Sequence, residues 1–113
     1  MSTYIQVQIT FPTEESAYQA ATKLVETHLA ACAQVLKPIR SIYVWKGNCE
    51  TSDEVLVLAK TKSILFDRLV ELVRDGHPYE CPQIVALPIL AGNEDYLAWL
   101  EEQCNKCKKI LWF

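Results

Sequence analysis

The densest group of chemically reactive side chains lies in the segment His77-Pro78-Tyr79-Glu80-Cys81-Pro82. It offers an imidazole, a phenol, a carboxylate and a thiol within six residues. A residue that precedes proline is driven out of helical geometry, and proline fixes its own φ, so the segment is expected to form a stiff loop. Polar groups on a stiff loop suit a binding site. The sequence leaves an alternative open, in which Tyr79 packs, His77 hydrogen-bonds a backbone carbonyl, and the prolines only shape the turn.

Metal binding is one chemistry that this loop predicts. A neutral histidine can offer a ring nitrogen to a metal ion, which makes His77 the first candidate ligand, with Glu80 and Cys81 as the others. Zinc normally takes four ligands from cysteine, histidine and carboxylate, so groups from another subunit would have to complete such a site. Cu(II) accepts imidazole and carboxylate in a tetragonal arrangement.

Anion binding is a second chemistry, predicted at the ends of two hairpin strands. Aromatic, hydroxyl and cationic side chains lie near these strand ends, namely Trp45, Lys46, Lys60, Thr61 and Lys62. A cationic group beside aromatic rings can hold an anionic small molecule. The alternative is a solvated strand end with Trp45 packed at an interface.

The cysteines predict reduced thiols. There are five of them, an odd number, and no export signal accompanies them, so a cytoplasmic protein without disulfides is the simplest interpretation. Cys104 and Cys107 form a lone C-x-x-C motif near the end of a predicted helix, where the helix dipole opposes thiolate formation. We therefore predict that these two thiols have no catalytic role.

Length and composition exclude several classes of protein. The 113 residues predict a single domain over 1–113, and a chain that is 50% hydrophobic and 22% charged is not disordered. A formal net charge of −3 argues against a nucleic-acid partner. No apolar run approaches the ~18–20 residues that span a bilayer, and the first residues lack a secretory leader pattern. We predict a cytoplasmic protein with neither nucleic-acid nor membrane partners.

The elements that must position these residues follow from hydrophobic periodicity and turn signals. In order, the sequence predicts strand 4–10, a helix capped by Thr13 that ends near His28, strand 31–46 bent at Pro38, a turn at Gly47, strand 54–61, a helix capped by Ser63 and ended by a left-handed Gly76, strand 83–87, and a short helix capped by Asn93. The order βαββαβ followed by a short helix predicts an α+β, ferredoxin-like sandwich with two helices on one face of a four-stranded antiparallel sheet.

Two of the predicted strands are apolar on both faces, over 55–59 and 84–87. Such strands need cover on both sides, and the chain has only its short third helix left to supply it. A broad exposed apolar patch is unusual on a soluble monomer. We therefore predict an obligate oligomer in which neighbouring subunits bury the open face of the sheet.

Several segments occur here in the order and spacing of a known family. They are 29–33 (LAACA), 41–47 (SIYVWKG), 60–61 (KT), 77–82 (HPYECP), 86–89 (ALPI) and 96–100 (YLAWL). Over residues 4–100 the chain resembles the CutA divalent-ion tolerance family, and the tail 101–113 lies outside the resemblance.

The resemblance implies a PII-like homotrimer, cytoplasmic in bacteria, that is associated with tolerance to divalent metals and especially to copper. It implies no obligatory cofactor, with Cu(II) or another divalent metal as the candidate ion, and no generally accepted enzymatic reaction. The family's recurrent polar and aromatic positions gather in a cleft between subunits and correspond here to Tyr43, Trp45, Lys60, Thr61, His77, Tyr79 and Glu80. Of three proposed copper ligands, His77 alone is kept, because Gly76 and Thr10 occupy the other two positions.

Three hypotheses follow. The first is a trimeric metal-binding or metal-response protein. The second is a trimeric small-molecule-binding signalling scaffold, whose cleft uses Lys60, Trp45, Tyr79 and Glu80 on an unidentified ligand such as an anion. The third, an enzyme with His77 and Glu80 as an acid–base pair, ranks last because no substrate-binding motif accompanies that pair. We also predict that the aromatic tail 111–113 packs on its own or a neighbouring subunit.

Overall fold

The computed structural model describes residues 3–107 and confirms the predicted order of elements. The elements are β1 (Tyr4–Phe11), α1 (Glu14–Glu26), β2 (Cys32–Trp45), β3 (Asn48–Lys62), α2 (Phe66–Gly76), β4 (Ile84–Pro88) and α3 (Glu94–Asn105). The four strands form an antiparallel sheet in the order β2-β3-β1-β4. The predicted packing of the tail 111–113 lies outside the described residues.

The core forms between one face of the sheet and the helices. Alternation along β1 buries Val7 and Ile9 completely, as expected for a strand with one covered face. Leu24 of α1 and Leu69 of α2 are equally inaccessible and pack into the same cluster. The backbone N–H of Ser16 donates to the hydroxyl of Thr13 at 3.1 Å, so the predicted cap of α1 is confirmed.

The described residues contain no helix long and apolar enough to cross a bilayer.

The β2–β3 hairpin is longer than predicted. Lys46 and Gly47 form its two-residue turn with φ values of 52° and 83°, and pairing starts directly beside them, with Trp45 opposite Asn48. The strand predicted over 54–61 therefore begins six residues earlier, at Asn48. The tight turn fixes the register of the hairpin, and in this register the polar segment 49–53 pairs with β2. The predicted bend at Pro38 is confirmed as a register irregularity between Leu36 and Ile39.

Two details around α2 were predicted wrongly. Ser63 lies in a 3-10 turn, and α2 begins at Phe66 without a side-chain cap. Gly76 is the last residue of α2 and has no positive φ, since the only glycine with one among the described residues is Gly47. The reason is that Pro78 forces His77 into extended geometry, with φ −77° and ψ 134°, which ends the helix without a left-handed residue.

The face of the sheet opposite the core retains large apolar side chains. Leu36, Val85 and Leu87 lie on this open face and are 42%, 45% and 45% exposed. The far half of the hairpin also exposes Ile42 and Val44, about 70% each, but their pairing with β3 places them on the face opposite to Leu36. The two-sided apolar character inferred from the sequence is thus present in the fold.

Candidate functional site

A pocket of about 520 Å³ lies between the outer half of the β2–β3 hairpin and the loop that follows α2. Three aromatic residues line it, Tyr43, Trp45 and Tyr79. Two carboxylates, Glu54 and Glu80, lie in the same wall. Its volume falls in the range of small-molecule sites. Four residues predicted for the cleft, Tyr43, Trp45, Tyr79 and Glu80, are thus brought together within one chain.

The hairpin register explains how Tyr43 and Glu54 reach one surface. Tyr43 is paired with Glu50, and alternate residues of a strand share a face, so Glu50, Ser52 and Glu54 line up beside it. The Tyr43 hydroxyl lies 3.2 Å from the Ser52 hydroxyl and leans along the strand toward Glu54. Tyr43 therefore forms one wall of the pocket, with Glu54 at its inner end.

His77 is held by two hydrogen bonds and a ring stack. The backbone N–H of Tyr79 donates to Nδ1 at 3.0 Å, and Nε2 lies 2.8 Å from the carbonyl oxygen of Thr10. Because a carbonyl only accepts, Nε2 carries the proton of the neutral ring. The Phe11 ring stacks on the imidazole with centroids 4.5 Å apart. The hydrogen bond from His77 to a backbone carbonyl, which was one part of the alternative interpretation of this loop, is confirmed.

These bonds leave neither nitrogen of His77 free to bind a metal ion. The lone pair of Nδ1 accepts an amide proton, and Nε2 bears a proton that points at an oxygen. Within 3–107 no three side chains of histidine, cysteine, aspartate or glutamate are grouped as a metal site. A single copy of the described chain does not fit the metal that the resemblance implies. The ligand set His77, Glu80 and Cys81 stays a prediction.

Glu54 is the residue that the sequence analysis missed. It is only 8% exposed, and its Oε2 accepts a 2.5 Å hydrogen bond from the Tyr79 hydroxyl. Burial raises the pKa of Tyr79 well above its ordinary range, and the hydrogen bond and charge of Glu54 raise it further. The sequence held one signal for Glu54, namely its position directly before the apolar run 55–59. A carboxylate buried at such a strand position loses hydration free energy, which indicates a functional or structural partner.

Three residues assigned to the cleft, Lys60, Thr61 and His77, do not line the pocket of one chain. The Lys60 ammonium donates to Oε1 of Gln34 at 3.0 Å and does not line the pocket. Thr61 is fully buried, and its hydroxyl donates to the carbonyl of Leu29 at 2.7 Å. Thr61 therefore satisfies a core carbonyl, and the predicted group of seven is not assembled within one described chain.

All five cysteines are free. Cys104 is buried with its sulfur 3.5 Å from the Thr61 hydroxyl, and burial raises its pKa. A buried thiol with a raised pKa is a weak nucleophile. The structure thus agrees with a thiol that packs rather than reacts.

The protonation state of His77 gives a first test. Burial lowers its pKa below the ordinary 6.5, against the smaller opposing effects of the Thr10 carbonyl and the Glu54 charge. A lowered folded pKa stabilises the fold fully above pH 6.5, and this contribution is lost as the pH falls through the folded value. In the presence of EDTA, we expect the free energy of unfolding to fall as the pH is lowered from 6.5 through the folded pKa of His77. The variant His77→Gln should lack this part of the pH-dependent loss of stability.

The nitrogen assignment can be checked in the same samples. Long-range ¹H–¹⁵N spectra at pH 8 should show the Nε2–H tautomer of His77, with Nδ1 as the unprotonated nitrogen. A spectrum of the Nδ1–H tautomer, or an imidazole that titrates above pH 6.5, would contradict the hydrogen-bond arrangement.

Comparison with known proteins gives concordant results. A family model described as CutA1 divalent ion tolerance protein matches residues 5–103. The chain is 48% identical over 96 residues to the divalent-cation tolerance protein CutA of Thermus thermophilus, covering 85% of this chain and 93% of that protein. It is 45% identical to the mouse protein CutA, covering 83% of this chain but only 53% of that longer protein. The solved structure of the Thermus thermophilus divalent cation tolerance protein superposes with a TM-score of 0.87 at 46% identity, covering 88% of this chain and 97% of that one.

Proposed function

Because the chain belongs to the CutA1 divalent ion tolerance family, we propose that it acts in divalent-cation tolerance as a non-catalytic homotrimer. The observation that carries this proposal is the family match over nearly the whole described chain.

The open face of the sheet supports the homotrimer. Leu36, Val85 and Leu87 leave an apolar surface that a soluble protein normally covers. The protruding half of the hairpin, with Ile42 and Val44 at its edge, is long enough to reach a neighbouring copy. Closed symmetric assembly of identical chains covers such surfaces on every copy at once.

Five free thiols support a reducing compartment, and we place the protein in the cytoplasm.

The proposed metal is Cu(II) or another divalent ion, held by groups from more than one copy. Glu80 and Cys81 are exposed on the pocket wall and are the ligands that one chain can offer without rearrangement. His77 joins them only if its Nδ1 releases the amide of Tyr79. This requirement makes the metal role directly testable.

Calorimetric titration of Cu(II) and Zn(II) is the test. The protein should carry Cys104→Ser and Cys107→Ser, which remove the C-x-x-C pair as a source of metal uptake outside the pocket. We expect saturable binding at one metal per subunit or one per trimer, weakened about tenfold or more by Cys81→Ser. Cys49→Ser, which removes an exposed thiol outside the pocket, is the matched control. Weak, unsaturable heats would contradict a metal-binding function.

A second candidate function rests on the pocket itself. A cavity of about 520 Å³ lined by aromatic and carboxylate groups is larger than a single metal ion requires. It favours a small-molecule-binding scaffold that signals the ligand through the trimer, with no physiological metal.

A further inference from the structure

We propose that Cys104 and Cys107, at the end of α3, form a two-coordinate site for the soft monovalent ion Cu(I). The site lies outside the pocket between the hairpin and the loop after α2, and it shares no ligand with the divalent-ion site proposed there. The inference therefore goes beyond the proposed function and is tested independently of it.

The last turn of α3 brings the two thiols together. The helix ends at Asn105, and the backbone N–H of Cys107 donates to the carbonyl oxygen of Cys104 at 3.2 Å. A turn closed by such a bond holds its first and fourth Cα atoms within about 7 Å of each other. Both cysteines line the same cavity, so their side chains lie on the same side of the turn. Burial raises the pKa of Cys104, and the neighbouring Cys107 raises it further, as expected for two sulfur atoms in proximity.

The cavity beside the two thiols is small. Its volume is about 70 Å³, and it lies between the end of α3 and the 3-10 turn that follows β3, where Ile64 and Leu65 line it. It is large enough for an ion, whereas pockets for organic ligands start at about 300 Å³. Cys104 is 3% exposed but Cys107 is only partly buried, so an ion can reach the pair from the side of Cys107.

The number and the softness of the ligands select the ion. Among residues 3–107 no third histidine, cysteine, aspartate or glutamate joins the pair, and the segment 108–113 contains none of these residue types. Zinc normally takes four such ligands, and Ca²⁺ and Mg²⁺ need sets of oxygen ligands. Thiolates favour Cu(I), an ion that accepts two ligands. Two thiols without a third ligand therefore fit Cu(I) better than they fit a divalent ion.

The charge beside the cavity suits the complex. Binding replaces the two S–H protons with two S–Cu bonds, releases both protons to solvent and leaves a bis-thiolate complex of charge −1. Lys62 is the only charged side chain that lines this cavity in the described part of the chain. Its side chain is 13% exposed, and its ammonium donates to Oε2 of Glu101 at 2.7 Å and to Oδ1 of Asn105 at 3.3 Å. A cationic group fixed in this place stabilises the negative charge of the thiolates.

The site is formed by one chain and does not depend on the proposed trimer. The sulfur of Cys104 lies 3.5 Å from the hydroxyl of Thr61, a fully buried residue on the core side of β3. Lys62 is at the end of β3 that is remote from the hairpin turn. Neighbouring copies are proposed to cover the open face and the outer hairpin, which are other parts of the sheet.

Anaerobic competition for Cu(I) tests the inference. The full chain, reduced beforehand, is titrated into the coloured complex of Cu(I) with bicinchoninate, and the loss of colour measures the transfer of the ion. We expect the chain to take up one Cu(I). Cys107→Ser should weaken the affinity about a hundredfold or more, since even an outer-shell partner of a metal contributes about 10–100-fold. Zn(II) in about tenfold excess should leave the bound Cu(I) in place.

Further variants and one spectrum locate the ion. Cys49→Ser removes an exposed thiol of the hairpin and is the matched control, which should bind Cu(I) as the wild type does. Cys104→Ala is a second variant of the pair and should weaken the affinity to the same extent as Cys107→Ser. Circular dichroism verifies that each variant is folded. X-ray absorption at the copper edge should show two sulfur neighbours and no nitrogen or oxygen ligand.

Each contrary outcome is distinct. No transfer of Cu(I) from bicinchoninate, or transfer that Cys107→Ser does not weaken, overturns the site. Binding that is lost in Cys81→Ser but kept in Cys107→Ser overturns it as well, because it places the ion in the pocket. Displacement by Zn(II), or nitrogen and oxygen ligands at the copper edge, overturns the two-coordinate assignment. None of these results decides the titration of divalent ions into the pocket, because that protein carries serine at both 104 and 107.

Discussion

Replacing Phe11 with alanine is expected to lower the free energy of unfolding by about 3–5 kcal/mol. Phe11 is 1% exposed at the end of β1, opposite Val55 of β3, and belongs to the main core cluster. Removing its ring leaves a cavity that neighbouring strands cannot fill without breaking their pairing. The ring also stacks on His77, whose imidazole in turn contacts the ring of Tyr79 in the pocket wall.

Denaturant unfolding at one fixed protein concentration measures this effect, because an oligomer's stability depends on concentration. Tyr18→Ala is the control, since Tyr18 is 66% exposed on α1 and its loss should change the free energy by less than about 0.5 kcal/mol. The His77 imidazole signals should broaden or shift in the Phe11 variant alone. A loss below about 1 kcal/mol would show that Phe11 does not anchor the end of β1.

Changing Val85 to lysine is expected to convert the proposed trimer to single chains. Val85 lies on the open face of β4, next to Gln8 of β1, where a neighbouring copy is proposed to pack. A lysine buried there without a partner costs several kcal/mol at each copy of the interface. The fold of one chain tolerates the change, because the side chain is 45% exposed when the chain is alone.

Light scattering coupled to size-exclusion chromatography measures the mass of the assembly at micromolar protein concentration. The wild type should have the mass of three chains and the Val85 variant that of one. Tyr18→Lys places the same charge on the exposed side of α1 and should remain trimeric. Circular dichroism checks that both variants keep their secondary structure. A wild type that is already a single chain, or a variant that stays trimeric, would refute the proposed use of the open face.

The local elements could be predicted because their signals are contained in short stretches of chain. Alternating apolar residues in β1 and the cap at Thr13 act within a few residues, and both are confirmed. The start of β3 was missed because the polar segment 49–53 has no strand pattern of its own. This segment becomes a strand because the tight turn brings it beside β2, where it pairs. Such pairing depends on the whole hairpin and not on the residues of the segment itself.

The sequence by itself determined the order of the elements, the stiff loop at 77–82, and an apolar sheet surface that requires cover. It also placed aromatic residues at the hairpin and in the loop that meet in one pocket. Proline geometry and side-chain alternation are local rules, so no tertiary information was needed for these conclusions.

Only the tertiary structure decided which groups face the pocket and which are already engaged. The bonds from His77 to Thr10 and from Tyr79 to Glu54 span 67 and 25 residues, and no local pattern records them. They take both nitrogens of His77, bring a buried carboxylate into the site, and leave Lys60 and Thr61 outside it. Packing across the sheet therefore decides which groups one chain presents to the pocket, because burial and partners, rather than residue type, determine what a polar side chain can still bind.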